Sequence, residues 1–258
     1  MQKLPSGDIT SLLNESVQRF NSPAFIETDP VSIPHLFSTK EDIEVSGFLS
    51  AIIAWGQRPV ILRNAADLMR RMDMAPHSFV MQADVRELKH LDTFVHRTFN
   101  GIDTRTLVLG LRHIYKKHQG PEAVFSAALR HNDMAEAISS FRAKMLEPKH
   151  PERSRKHIAD PAAGSSAKRI NMWLRWMVRR DNAGVDFGIW KTISPALLCC
   201  PLDVHSGNVA RKLGLLSRTQ NDWKAVEELT ANLRLLDAHD PVKYDYALLG
   251  LGVFDVIK

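Results

Sequence analysis

The sequence predicts an all-α protein. Apolar residues recur at helical spacing through most of the 258 positions, and no segment sustains the strict alternation of a half-buried strand. Internal repeats and low-complexity tracts are absent from the sequence as well.

The elements follow in order. Ile9, Leu12, Leu13, Val17 and Phe20 fall on one helical face behind Asp8, a residue suited to capping. Pro23, Asp29-Pro30 and Pro34 mark a loop over about 21–40. Val45, Phe48, Leu49, Ile52 and Ile53 form the strongest stripe and predict a core helix over 42–55. Helices at 104–117 and 122–130 are separated by Gly120-Pro121, with Asp103 as the cap of the first. The segment 146–167 is polar and irregular. Ile170, Trp173, Leu174 and Met177 then make the apolar face of a helix that leaves Arg169 and Arg175 off that face. Helices at 204–213, 222–235 and 241–250 complete the chain.

The composition is that of a globular chain, 44% apolar and 24% charged, long enough to bury a core. No apolar run approaches the length of a membrane span, and MQKLPSGDIT lacks the apolar centre of a secretory signal. The expectation is a cytoplasmic protein that makes no use of a membrane. Cys199 and Cys200 are adjacent, a geometry that strains a disulfide, and read as two small apolar residues of a buried segment. No His, Cys or carboxylate grouping has zinc spacing, so no metal ligand is assigned.

The net charge of +5 only weakly favours a nucleic-acid partner, but its distribution is uneven. Between 149 and 180 stand Lys149, Arg153, Arg155, Lys156, Lys168, Arg169, Arg175, Arg179 and Arg180, opposed only by Glu152 and Asp160. Two readings stand: a solvated helix face with a basic loop, or a phosphate-binding surface. The stretch PLDVHSGNVARKLGL (201–215) is the most distinctive. Asp203 falls where a helix begins, so the helix dipole and the first-turn N–H groups favour its ionised form. It is either an ordinary cap or an anion fixed to face a developing positive charge.

The same stretch resembles the Asp motif of the helix-hairpin-helix Gly/Pro-Asp DNA glycosylase superfamily. Pro201, Leu202, Asp203, Val204, His205, Arg211, Leu213, Gly214 and Leu215 occupy matching places, while Ser206 and Gly207 depart from it. Upstream, PAAGSSAKRINMWLRWMVRR (161–180) keeps Pro161, one glycine (Gly164) and Lys168 of the family's hairpin consensus. The degenerate hairpin and the long Lys168–Asp203 spacing are similar to the archaeal branch acting on 8-oxoguanine and to an uncharacterised bacterial branch. DPVKYDYALLGLG (240–252) resembles the last helix of these enzymes.

The resemblance implies two helical subdomains with a helix-hairpin-helix (about 157–180) and a cleft between them. One subdomain is expected at about 42–140, the other at 1–41 plus 141–258. It further implies a DNA base-excision glycosylase with AP-lyase activity, acting as a monomer on double-stranded DNA containing a damaged base, cytoplasmic at the nucleoid. No cofactor is called for, and the four cysteines of the iron–sulfur cluster that some relatives carry are absent. Asp203 would face the oxocarbenium-like charge on the sugar. Lys168 would attack C1′ and form a Schiff base, or else contact phosphate. Gly164, Ser165, Ser166 and Arg169 would bind the DNA backbone. Gln57 and Arg58, in SAIIAWGQRP (50–59), stand as wedge and orphan-base reader, or else end a helix before Pro59. Trp55, His96 and Phe99 would line the base pocket, or else be core. His205 is expected to pack or to make a backbone hydrogen bond, and Asp245 to be structural. The competing classes are a DNA-binding relative without turnover, a monofunctional glycosylase for alkylated or mismatched bases, and a helical scaffold.

Overall fold

The computed structural model describes residues 7–131 and 133–253. Residues 1–6, part of the segment in which no secretory signal is read, lie outside the described residues. The fold is all-α. In chain order the helices are α1 (Gly7–Phe20), α2 (Pro23–Ile26), α3 (Lys40–Ile52), α4 (Arg58–Arg71), α5 (Pro76–Gln82), α6 (Val85–Leu88), α7 (Gly101–His118), α8 (Pro121–Ala128), α9 (Met134–Met145), α10 (Lys168–Val178), α11 (Val204–Lys212), α12 (Trp223–Leu236) and α13 (Tyr244–Val253). The only sheet among the described residues pairs β1 (Val95–His96) with β2 (Phe99–Asn100), and Arg97 adopts φ +55° in the turn between them. No helix is long and apolar enough to cross a membrane.

The chain divides into two compact units, one of residues 26–159 and one joining 1–25 to 160–258. In the unit of 26–159, α3 is buried along most of its length. Phe48 meets Phe141 of α9 edge-on at 5.6 Å, and Phe141 stacks on Phe125 of α8 at 4.9 Å. Its start is fixed by Thr39, whose hydroxyl accepts from the Asp42 N–H. The loop expected over 21–40 is folded into 3₁₀ turns at Pro30–Ser32 and Pro34–Leu36 that pack on α3, so 26–41 belong to this unit. Residues 141–159 belong to it too: Arg142 Nε donates to the Ile158 carbonyl (3.0 Å) and Ser154 Oγ to Asp103 Oδ1 (2.7 Å). The boundaries therefore depart from the expected 42–140. Asp103 is not the cap of α7. Asn100 is, and Asp103 closes the capping box from the third helical position.

The other unit joins the ends of the chain. α1 packs on α13, and α13 on α11. Gly250 makes the first contact possible, since a Cβ there would meet the Phe20 ring at 2.1 Å. At the centre lies α10, which is buried from Ile170 to Val178 rather than amphipathic. Arg175 and Arg179, expected on the surface, are each 2% exposed. Arg175 pairs with Asp186 (3.3 Å) and with Asp245; Arg179 reaches Asp186 (3.0 Å), Asp181 (2.7 Å) and Asp240 (2.9 Å). The Tyr246 ring lies 4.1 Å from the Arg175 guanidinium. A buried charge persists only when paired and hydrogen-bonded, and this network meets that condition.

Asp186→Ala removes the one carboxylate shared by two buried guanidinium groups, leaving Arg175 with Asp245 and Arg179 with Asp181 and Asp240, and is expected to destabilise its unit by about 3 kcal/mol. Arg70→Ala, at an exposed pair with Asp67, should change stability by less than about 1 kcal/mol. Urea unfolding of both variants checks the contrast, and equal effects would refute it.

Candidate active site

Lys168 opens α10 behind a tight turn. Asp160 caps a single 3₁₀ turn, Pro161–Ala163, by accepting from the Ala162 N–H at 3.1 Å. Gly164 follows at φ +85°, a conformation open to glycine with little strain. The hairpin thus has an α-helix on its downstream side and a 3₁₀ turn on its upstream side, in place of the expected helix-hairpin-helix. Ser165 Oγ accepts from the Ala167 N–H (3.2 Å), and Ala167 takes φ +46°, which strains a residue with a Cβ. Its methyl side chain supplies no cap to α10.

Two of the expected phosphate contacts are engaged within the turn. The Gly164 N–H donates to the Pro161 carbonyl (2.8 Å) and the Ser165 N–H to the Asp160 carbonyl (3.1 Å). These groups close the turn instead of presenting donors to a ligand. Ser165 also bridges to Asp222, the residue that caps α12, and Trp223 N donates to the Gly164 carbonyl at 3.2 Å. Ser166 Oγ donates to the Leu202 carbonyl at 3.4 Å, which ties the turn to the loop carrying Asp203.

Asp203 caps α11. Its Oδ1 accepts from the Ser206 N–H (3.0 Å), and Ser206 Oγ accepts from the Asp203 N–H (3.0 Å). Ser206, a departure from the family pattern, therefore closes a capping box. Gly207, the other departure, leaves room for Asn221: a Cβ there would meet Asn221 Oδ1 at 2.8 Å. Asn221 donates to the Asp203 carbonyl (3.0 Å) and accepts from Arg211 (2.6 Å). Asn221 was not legible as part of the site, because its only signal is the missing Cβ at position 207.

The second Asp203 oxygen, Oδ2, lies 3.1 Å from Lys168 Nζ, with the two side chains 25% and 30% exposed. Residues 35 positions apart in the chain thus meet in one ion pair. Burial alone would raise the Asp203 carboxyl. The Lys168 charge, the Ser206 N–H and the nearby His205 outweigh it, and hold the carboxyl below its ordinary range. His205 itself is exposed rather than packed.

The surroundings are less basic than the sequence suggests. Arg169 is half-buried, and burial lowers its pKa. Arg175 and Arg179 belong to the interior network, not to a phosphate surface. Asp245 is structural, as expected, through Arg175. Burial pushes its carboxyl up to about 6, against the pull of Arg175 and Lys168. Cys199 and Cys200 are buried free thiols, and burial pushes Cys199 up to about 11.

The remaining sequence candidates lie in the unit of 26–159. Gln57 caps α4 without a side-chain bond and is exposed; Arg58 is the first residue of that helix. They begin a helix instead of ending one. Phe99 has no exposed surface and His96 is 1% exposed, so neither presents a face to a base. His96 Nε2 lies 3.0 Å from the Trp55 carbonyl and its Nδ1 3.0 Å from Asn64, with burial lowering its pKa. Trp55 is half-buried, stacked against His157 with ring centroids 6.3 Å apart and edge-on to His96 at 4.8 Å. Phe99 and His96 are core, and Trp55 packs at its edge.

The fold and the Lys–Asp pair define an all-α protein with a fixed carboxylate beside a primary amine at two helix starts. Residues 29–254 match the model of the family described as protein of unknown function (DUF2400), and the chain belongs to that family. No curated protein and no solved structure matches it.

Lys168→Met removes the cation beside Asp203, so the Asp203 pKa should rise. Because the folded value lies below the unfolded one, near 3.9, the pair stabilises the fold above that pH. This stability is lost as pH falls through the folded value, and the variant should lose the share of that acid limb that Lys168 supplies. A carboxyl-carbon NMR titration checks the shift; an unmoved Asp203 midpoint would show that the pair contributes nothing.

Proposed function

We propose that this chain is a DNA base-excision glycosylase with AP-lyase activity, acting on 8-oxoguanine in double-stranded DNA. The observation that carries the reading is the 3.1 Å approach of Lys168 Nζ to Asp203 Oδ2. An amine and an ionised carboxylate in contact are the two groups this chemistry requires. The choice of lesion rests on the resemblance of the hairpin and Asp motif to the archaeal branch.

The steps follow from the two groups. As the bond from C1′ to the base breaks, positive charge builds on the sugar, and Asp203 stabilises it. Lys168, an ammonium in the ion pair, passes one proton to the departing base, which leaves with the bonding electron pair, and the amine so freed attacks C1′. The nitrogen loses a proton, the sugar ring opens, and the C1′–N linkage becomes an imine. Loss of the C2′ proton then expels the 3′ phosphate by β-elimination. The target base must leave the stack before any of this begins. Gln57, exposed at the start of α4, is retained as the wedge candidate and Arg58 as the reader of the orphan base.

Borohydride trapping on duplexes carrying 8-oxoguanine, uracil, an alkylated base or an abasic site tests the reading. A covalent adduct on 8-oxoguanine is expected, absent in Lys168→Gln. Asp203→Asn should slow base release by about 10²–10³-fold. Base release that survives Lys168→Gln would make the protein a monofunctional glycosylase. DNA binding with neither adduct nor base release would make it a relative without turnover.

A further inference from the structure

A separate set of donor side chains lies in the unit of 26–159. His113 and His118 stand in the last turns of α7, and Glu147 follows the end of α9. One ligating atom from each lies within 4.8 Å of those of the other two. His113 Nε2 is 2.5 Å from Glu147 Oε2, and the two imidazole rings are 5.4 Å apart between centroids. His118 Nε2 is buried and has no hydrogen-bond partner. A buried ring nitrogen left in that state costs about 1–3 kcal/mol and calls for an occupant.

We propose that His113, His118 and Glu147 bind one divalent transition-metal ion of the zinc class, as a three-residue site with a fourth position open. Two imidazoles and a carboxylate are a donor set that zinc takes with three protein ligands. Metal–ligand bonds of about 2.0–2.1 Å in a tetrahedron place donor atoms roughly 3.3 Å apart. That separation lies between the closest and widest present spacings, 2.5 and 4.8 Å. Small side-chain rotations of half-exposed groups reach it.

The surrounding charge narrows the choice of ion. Lys144 stands close to His118. The same lysine opposes a cation, and Glu147 supplies the compensating negative charge. Magnesium and calcium seek oxygen-rich cages and gain little from imidazole, so they do not overcome that opposition. His113 also lines a cavity of about 410 Å³ with Lys116, Lys117 and Lys149. Water or a small anion suits the fourth position there. The bound ion would clip the end of α7 to the chain after α9.

The sequence hides this site because its histidines are five residues apart. Neighbours on one helix face are three or four apart, and the third ligand lies 34 residues beyond His113.

Metal-free, full-length protein titrated with zinc chloride against a chromophoric chelator tests the proposal. One equivalent per chain is expected. His113→Ala and His118→Ala should each weaken binding about tenfold or more, with Glu147→Gln also weaker than the parent. Zinc should raise the melting temperature of the parent and not of the variants. Because His113 and Glu147 are partly exposed, the double variant His113→Asn/Glu147→Gln keeps the test valid if His118→Ala misfolds. Failure of the parent to compete for zinc would overturn the site, as would parent-like affinity in the double variant. Neither result bears on Lys168 or Asp203, so this inference stands or falls apart from the glycosylase reading.

Discussion

The Arg175–Asp186–Arg179 network is the interaction on which the unit containing Lys168 and Asp203 depends. Two guanidinium groups enter the core four residues apart, Arg175 in the last turn of α10 and Arg179 just past its end, and Asp186 bonds to both. Burial alone would lower the Arg179 pKa, but Asp186, Asp240 and Asp181 more than reverse it and raise it. A network of this kind adds little net stability over apolar packing. Its effect here is geometric: each partner must arrive in register or a charge is stranded. Asp186 lies in the irregular chain after α10, Asp240 just before the turn that leads into α13, and Asp245 in α13 itself. The loop, the last helix and α10 therefore have one shared arrangement.

That arrangement sets the site. α10 is fixed at its C-terminal end by the arginines, and its first residue is Lys168. α13, fixed through Asp245, packs on α11, whose cap is Asp203. Gly252 lets the two helices approach closely, since a Cβ there would come within 3.3 Å of the His205 carbonyl. The Ser165–Asp222 bridge and the Ser166–Leu202 bond draw the two helix starts together from the other side. The amine and the carboxylate meet because both of their helices are held at each end.

Periodicity made much of the fold legible. The stripes at 9–20, 42–55, 104–117 and 222–235 all correspond to helices, because each buries one apolar face. α4 escaped since Pro59 reads as a break, whereas it occupies the first turn of a helix, where a missing N–H does no harm. α10 was legible as a helix but not as a fully buried one. Nothing local marks Arg175 and Arg179 as interior, because the four carboxylates that neutralise them are distant in sequence or lie in irregular chain. The error carried into the site: arginines counted toward a phosphate surface are part of the core. Asp203 was legible as a cap, because an Asp placed where a helix begins leaves that local signature. Its pairing with Lys168 follows only from the tertiary fold.

The two oxygens of Asp203 have different tasks. Oδ1 is held by the Ser206 N–H, and a cap of this kind is released only with the end of its helix. Oδ2 alone remains for Lys168. Under the proposed chemistry the same oxygen must also answer the positive charge that builds on the sugar. The two demands arise in sequence. Before the bond breaks, Oδ2 would hold the lysine where that chemistry needs it. As charge develops at C1′, that charge competes with the ammonium for the one carboxylate oxygen that is not engaged in the cap. On that chemistry the event that creates the target also loosens the lysine from Oδ2. A carboxylate with both oxygens free would not couple the two steps, and the bond from the Ser206 N–H to Oδ1 is what leaves only one.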